Sequence, residues 1–159
     1  MNPDFCDILS AFNEAGVEYL VVGAYALAAH GLVRSTGEID LWVRPTAENA
    51  SRVMQALRQF RAPLGDLTEA DLHTPDIVFQ IGLPPRRIDL LTSIANVEFC
   101  EAWTDRRLTT VSGIHFPVLG RAMFLKNKRS TGRAKDLADA EWLEENPESP
   151  IGGEAQTRR

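Results

Sequence analysis

The sequence predicts an α+β domain, in which a few short strands are combined with helices that do not alternate regularly with them. Short apolar runs bounded by glycine or proline are typical of strands, whereas longer stretches carry apolar residues at helical spacing. At 159 residues the chain is long enough to bury a core without disulfides. We expect one domain at residues 1–146 and a disordered tail at residues 147–159, where the sequence is PESPIGGEAQTRR.

The first half of the chain predicts three helices and two strands. Asn2 and Pro3 are typical of a helix start, and Thr46 is the expected N-cap of a longer helix with an apolar stripe. In chain order the elements are a helix ending near Gly16, a strand at Tyr19–Val22, a helix at 24–30, a strand at 39–43 and a helix at 46–60.

The second half predicts four strands and three helices after a loop-rich stretch at residues 61–76. Strands are predicted on both sides of the GLPP turn because apolar residues alternate there with polar ones. In chain order the elements are strands at 77–81 and 87–91, a short helix at 97–101, a strand pair within 109–118, and helices at 121–127 and 133–146.

Composition and charge exclude several functional classes. The formal net charge of -5 argues against a broad nucleic-acid-binding surface, which needs clustered lysine and arginine. Two cysteines without a CxxC pattern argue against a zinc site or a disulfide framework. The sequence has neither a signal peptide nor an apolar run of about 18 residues, so we expect a cytoplasmic protein without a membrane partner.

Two acids open the strand predicted at residues 39–43. Side chains alternate between the faces of a strand, so Glu38 and Asp40 share one face. Neighbouring carboxylates repel each other, and Mg²⁺ would satisfy both. Asp89, in the strand RIDLL, would complete an acidic triad if that strand lies beside the first.

These acids also have structural interpretations that the sequence leaves open. Glu38 can be a solvated turn residue, Asp40 a cap at the strand start, and Asp89 an ion-pair partner of Arg87.

The turn at Gly23 and Ala24 joins a strand to the start of a helix. Glycine allows the backbone to approach a ligand closely, and the N–H groups of a helix start attract anions. A plain strand-to-helix turn has the same pattern. Arg34 and Thr36 can likewise contact phosphate or brace the turn before Gly37.

Basic residues are concentrated in one segment near the C-terminal end of the predicted domain. Such a cluster suits phosphate oxygens. Its members are Lys126, Lys128, Arg129, Arg133 and Lys135. The alternative is a solvated loop, in which Lys135 forms a surface ion pair with Asp139 four residues later.

Taken together, VVGAYALAAHG, RSTGEIDLWV and RIDLL resemble the motifs of the nucleotidyltransferase superfamily related to DNA polymerase beta. The segment LKNKRSTGRAKDLADAEWL resembles the small bacterial members grouped with AbiEii-type toxins. The resemblance implies a nucleotidyltransferase fold with a small mixed sheet flanked by helices. It also implies transfer of a nucleotidyl group from a nucleoside triphosphate to tRNA, protein or a small molecule, in a protein that acts with a cognate toxin or antitoxin.

The same resemblance implies roles for individual residues. Glu38, Asp40 and Asp89 would hold Mg²⁺, with room for two ions, and Asp89 would activate the acceptor. Lys126 would bind the triphosphate and Asp136 would orient that lysine, both as part of the catalytic set. The residues implied in nucleotide binding are Gly23, Ala24, Arg34, Thr36, Lys128, Arg133 and Lys135.

Two positions depart from the family pattern. Ala24 stands where serine or glycine is usual, and Glu38 stands where the family has aspartate. The longer glutamate moves its carboxylate by about one bond, and a misplacement of about 1 Å can cost roughly 100-fold in rate. The alternative function is therefore a catalytically degenerate protein that binds nucleotide or a partner protein without turnover.

Overall fold

The structure is a computed structural model that describes residues 1–147. Apart from Pro147, the tail predicted at residues 147–159 lies outside the described residues. In chain order the elements are α1 (Pro3–Glu14), β1 (Tyr19–Val22), α2 (Gly23–Ala29), β2 (Glu38–Val43), α3 (Ala47–Phe60), α4 (Glu69–Leu72), β3 (Val78–Ile81), β4 (Arg87–Leu91), α5 (Phe99–Asp105), β5 (Arg107–Val111), β6 (Ile114–Val118), α6 (Arg121–Ser130) and α7 (Ala134–Glu145).

The strands form one six-stranded mixed sheet in the order β3-β4-β2-β1-β6-β5. β2 runs parallel to β4 and antiparallel to β1, while β1 runs parallel to β6. Hairpin pairs β3-β4 and β5-β6 form the two outer parts of the sheet. The predicted α+β class and the small mixed sheet flanked by helices are confirmed.

Local signals in the sequence begin and end the helices. The Asn2 side chain accepts a hydrogen bond from the Asp4 N–H at the start of α1, and Thr46 does the same for Asn49 at the start of α3. α3 ends at Arg61, which adopts a left-handed backbone conformation with φ of 61°. The apolar faces of α1 and α3 pack against each other and contribute to the core.

The central strand β2 separates two environments. Ile39, Leu41 and Val43 point to one face and are completely buried. Glu38 and Asp40 point to the other face and are only partly buried, although Trp42 on that face is 1% exposed because it packs edge-to-face on Phe99 of α5. This alternation is the one predicted for the two acids, and it aims them at a partly open face of the sheet.

Three helix predictions need correction. α4 lies within the stretch predicted as loop, where Thr68 and Asp71 form a capping box around a helix of four residues, too short for its period to be visible. α5 begins two residues later and ends four residues later than the predicted 97–101. α6 continues to Ser130, beyond the predicted end at residue 127, because its basic residues are compatible with a helix.

None of the helices within residues 1–147 has the length and hydrophobicity that crossing a membrane requires.

Candidate active site

Three carboxylates meet on the neighbouring strands β2 and β4. The parallel pairing places Asp40 opposite Asp89 and Glu38 opposite Arg87. One carboxylate oxygen from each of Glu38, Asp40 and Asp89 lies within 4.8 Å of the other two. The structure therefore brings together the acids that the sequence separates by about fifty residues. We call these three side chains the acidic cluster.

Gly23 lies directly against the acidic cluster. It follows Val22, which pairs with Asp40 in the antiparallel ladder, and its φ is 68°. A Cβ atom at Gly23 would overlap the Asp40 carboxylate. The glycine is therefore required by the close approach of a protein carboxylate, which is a different reason from the phosphate contact that the motif suggests.

The surroundings of Asp40 disfavour its charge. Burial, reinforced by repulsion from Asp89, raises the pKa of Asp40 from 3.8 to about 6, although the positive charge of Lys128 opposes the shift. A cation bound between Asp40 and Asp89 would relieve this repulsion.

Arg87 is a member of this site that the sequence interpretation treated only as a structural alternative. Its Nε donates to Asp89 Oδ1 at 3.0 Å and one Nη donates to Asp89 Oδ2 at 3.3 Å. The guanidinium also forms an ion pair with Glu38. The two interpretations of Asp89, as a cluster member and as a partner of Arg87, therefore hold at the same time.

A cleft of about 310 Å³ opens beside Glu38 and Asp40, within the size range of small-molecule sites. It brings together all seven residues predicted to bind nucleotide, although Lys126 and Asp89 are not in its lining. The lining consists of Gly23, Ala24, Leu27, Arg34, Ser35, Thr36, Glu38, Asp40, Lys128, Arg133, Lys135, Asp136 and Asp139.

Two buried acids of α7 bind three of the four cations that line this cleft. Asp136 and Asp139 are 5% and 3% exposed. Lys128 donates to Asp136 at 3.0 Å and lies 3.3 Å from Asp139, which also pairs with Arg34 at 2.6 Å. Arg133 donates to Asp136 at 2.7 Å. We call Arg34, Lys128, Arg133 and Lys135 the cationic wall.

The hydrogen bonds at Asp136 determine its charge state. Burial by itself would raise the pKa of this carboxyl. Hydrogen bonds from Thr131, Lys128 and Arg133, together with the charge of Lys128, outweigh burial and lower the pKa of Asp136 to about 2. Asp136 is therefore ionised at neutral pH, where it anchors Lys128 and Arg133.

Lys128 of α6 lines the cleft and Lys126 does not, so the prediction that Lys126 is the lysine oriented by Asp136 needs correction. Lys126 donates to Glu101 at 2.6 Å and is absent from the cleft lining. Residues two apart on a helix point about 200° apart, so one of these lysines faces the cleft and the other faces away. Asp136 consequently orients Lys128, as the bond between them shows.

Other predicted contacts are also rearranged. Asp139 pairs with Arg34 and Lys128, so the surface ion pair predicted between Asp139 and Lys135 is not the one formed. The Thr36 hydroxyl bonds to the backbone N–H and C=O of Glu38, at 3.2 Å each, and so braces the turn as its structural alternative proposed.

Signals for the two overlooked residues were present in the sequence. Arg87 lies two positions before Asp89 and must share its face of β4, so an ion pair across the cluster follows from strand geometry. Asp139 is the last acid of the KDLAD motif, three residues after Asp136 and on the same side of α7.

The acidic cluster fits a divalent cation of the size of Mg²⁺. Such an ion holds oxygen ligands at about 2.1 Å, so ligands on opposite sides are about 4.2 Å apart. The cluster oxygens span up to 4.8 Å, and a movement well under 1 Å brings them to this distance. Glu38, Asp40 and Asp89 are therefore the residues that could hold the ion.

Solved structures share the fold despite low sequence identity. A Thermotoga maritima protein assigned as a nucleotidyltransferase is 12% identical, with a TM-score of 0.55 over 89% of this chain and 88% of its own. The crystal structure of ANT(2″)-Ia in complex with adenylyl-2″-tobramycin is 13% identical, with a TM-score of 0.56 over 87% of this chain and 84% of its own. The solution structure of that antibiotic-resistance factor gives 14% identity and a TM-score of 0.54 over 88% and 80%.

No protein-family model matches the sequence, and no curated protein does. The structural comparisons establish that the chain has the nucleotidyltransferase fold, as the sequence motifs predicted. The narrower relationship to the AbiEii-type group stays a prediction.

Proposed function

We propose that the protein is a Mg²⁺-dependent nucleotidyltransferase that transfers a nucleotidyl group from a nucleoside triphosphate to an acceptor. The observation that carries this proposal is that Glu38 and Asp40 of the acidic cluster line the same cleft as the cationic wall. Carboxylates suit a divalent ion, and lysine and arginine suit phosphate oxygens, so the two halves match the two parts of a metal-bound triphosphate. The shared fold supports the same activity.

The cationic wall would bind the phosphate chain. Lys128 is held in place by Asp136 and Asp139, so it provides a preorganised positive charge. The Arg133 side chain is 75% exposed and bonded at one side, which leaves guanidinium N–H groups for a phosphate. Gly23 and Ala24 also line the cleft and would lie beside the triphosphate.

The acidic cluster would hold the metal and face the acceptor. When bound, the ion would neutralise negative charge on the phosphate oxygens, including those of the reacting α-phosphoryl group. Asp89 belongs to the cluster but not to the cleft lining, so we place the acceptor on its side. There its carboxylate would take the proton of the attacking hydroxyl. The acceptor oxygen forms a bond to the α-phosphorus while the bond to pyrophosphate breaks, and pyrophosphate leaves.

We propose three acceptor classes for testing: a small-molecule hydroxyl, tRNA and protein. ANT(2″)-Ia was solved with adenylyl-2″-tobramycin, which supports including aminoglycoside hydroxyls. The resemblance of the segment LKNKRSTGRAKDLADAEWL to the AbiEii-type group supports including tRNA and protein, together with a role beside a cognate toxin or antitoxin.

A second candidate function is binding of nucleotide or a partner protein without turnover. Three observations favour it: Ala24 provides no hydroxyl for a phosphate, Glu38 is longer than aspartate, and Glu38 is engaged by Arg87. A site of this kind would hold a nucleotide without the alignment that transfer requires.

The experiment that tests transfer uses α-labelled nucleoside triphosphates with Mg²⁺ and an acceptor panel of aminoglycosides, total tRNA and lysate protein. We expect label on one acceptor class, and loss of that label in Asp40→Asn. The exposed Asp66→Asn variant is the matched control, because it removes the same charge away from the site. Nucleotide binding without labelling of any acceptor would favour the second candidate and refute transfer.

A further inference from the structure

Arg87 is the one cation that makes ion pairs inside the acidic cluster, among the residues that the structure describes. Its guanidinium bridges Glu38 and Asp89, while none of the bonds recorded for residues 1–147 joins it to Asp40. The positive charge therefore lies on one side of the cluster, between two of the three acids.

We propose that Arg87 is a built-in cation that replaces one of two metal ions, so that the cluster binds a single divalent ion. This inference rests on the metal site of the proposed function and specifies its stoichiometry. The single ion would be held mainly by Asp40 with one oxygen each from its neighbours. Arg87 would remain between Glu38 and Asp89.

Charge balance supports one ion. The three carboxylates carry three negative charges when ionised, and Arg87 neutralises one of them. Two negative charges are left, which one divalent ion balances. A second divalent ion would have to enter beside a fixed positive charge that it repels.

The contacts of Arg87 also hold it firmly in this position. Two of its nitrogens donate to the two oxygens of Asp89, which is the bidentate geometry that makes arginine-carboxylate pairs strong. The Asp89 side chain is 9% exposed and that of Arg87 is 27% exposed, so solvent screens the pair little.

The length of Glu38 is consistent with this arrangement. Arg87 lies opposite Glu38 in the parallel ladder, two pairs away from the pair of Asp40 and Asp89 and on the same face of the sheet. The additional methylene of glutamate, compared with the aspartate of the family pattern, extends the carboxylate to the guanidinium. We therefore interpret Glu38 and Arg87 as one adaptation rather than as an isolated departure.

The test counts bound Mn²⁺ per chain by electron paramagnetic resonance of the free ion, without nucleotide. We expect one ion for the native protein, two for Arg87→Met, and at least tenfold tighter binding of the first ion in that variant. Arg86→Met removes a neighbouring, exposed arginine and should behave like the native protein. If Arg87→Met does not fold, Arg87→Gln can replace it because its amide still donates to Asp89.

The outcomes separate this inference from the proposed function. Two ions on the native protein, or one ion of native affinity on the Arg87 variants, would overturn the inference and leave the metal site intact. Absence of Mn²⁺ binding from the native protein and every variant would overturn the metal site and the inference with it.

Discussion

Replacing Asp40 with asparagine is expected to stabilise the protein while removing its proposed function. Burial and the charge of Asp89 raise the pKa of Asp40 from 3.8 to about 6, so the folded state disfavours the ionised carboxylate. The folded-state pKa lies above the unfolded one. The destabilisation is therefore absent below the unfolded pKa, grows between the two values and is complete above the folded pKa.

The magnitude follows from the size of the shift. A difference of about two pKa units corresponds to roughly 3 kcal/mol at pH 7, since one unit is about 1.36 kcal/mol. Asp40 is partly exposed, and solvent screening lowers this to about 1–3 kcal/mol. For a domain of this size, at about 2–4 °C per kcal/mol, that stabilisation raises the midpoint of thermal unfolding by about 2–12 °C.

The stability difference can be measured by thermal and urea unfolding at pH 7 and pH 4 without divalent ions. The proteins to compare are the native protein, Asp40→Asn and the control Asp66→Asn. Asp40→Asn should be more stable than both others at pH 7, and the difference should fall below about 1 kcal/mol at pH 4. Equal or lower stability of Asp40→Asn at pH 7 would refute the reasoning, as would a gain that is unchanged at pH 4.

Further predictions concern the glycine, the lysines and the α7 anchor. Gly23→Ala should lower the free energy of unfolding, measured in urea, by about 1–2 kcal/mol or more, because φ is 68° and the added Cβ overlaps the Asp40 carboxylate. The loss should be smaller in an Asp40→Ala background, where that carboxylate is absent. Lys128→Met should weaken nucleoside triphosphate binding at least tenfold in calorimetry, whereas equal weakening by Lys126→Met would contradict the placement of Lys128 in the cleft. Asp136→Asn should lower the free energy of unfolding by about 1–2 kcal/mol at pH 7, because the pKa of Asp136 is lowered in the folded state and its ionised form therefore stabilises the fold above pH 3.8. This loss of stability should shrink as the pH falls towards 2. A loss that does not depend on pH would contradict the role of the Asp136 charge.

The acidic cluster was predictable because strand geometry is regular. Alternation in β2 places Glu38 and Asp40 on one face. Asp89 joins them because the strand RIDLL, which is β4, pairs with β2. That pairing is a tertiary contact, which the residues themselves do not specify, and the family resemblance supplied it.

The side-chain partners were less predictable because they depend on packing between distant elements. Lys126 and Lys128 are equally basic, and only the rotation of α6 against α7 decides which one reaches Asp136. Arg34 and Asp139 are 105 residues apart in the chain, so their ion pair could not be read from local spacing. Arg87 could have been placed from β4 alone, but its bond to Glu38 required the register with β2.

The measurement that tests the central claim most directly is thermal unfolding with Mg²⁺ alone, a nucleoside triphosphate alone, and both together. Joint addition at about 100 times the dissociation constant should stabilise the native protein by about 2.7 kcal/mol, and Asp66→Asn equally. Asp40→Asn should show no such joint shift, although its own starting midpoint is higher. A native protein that does not respond to the pair, or an Asp40→Asn variant that responds as strongly as the native protein, would contradict a metal and nucleotide site at the acidic cluster.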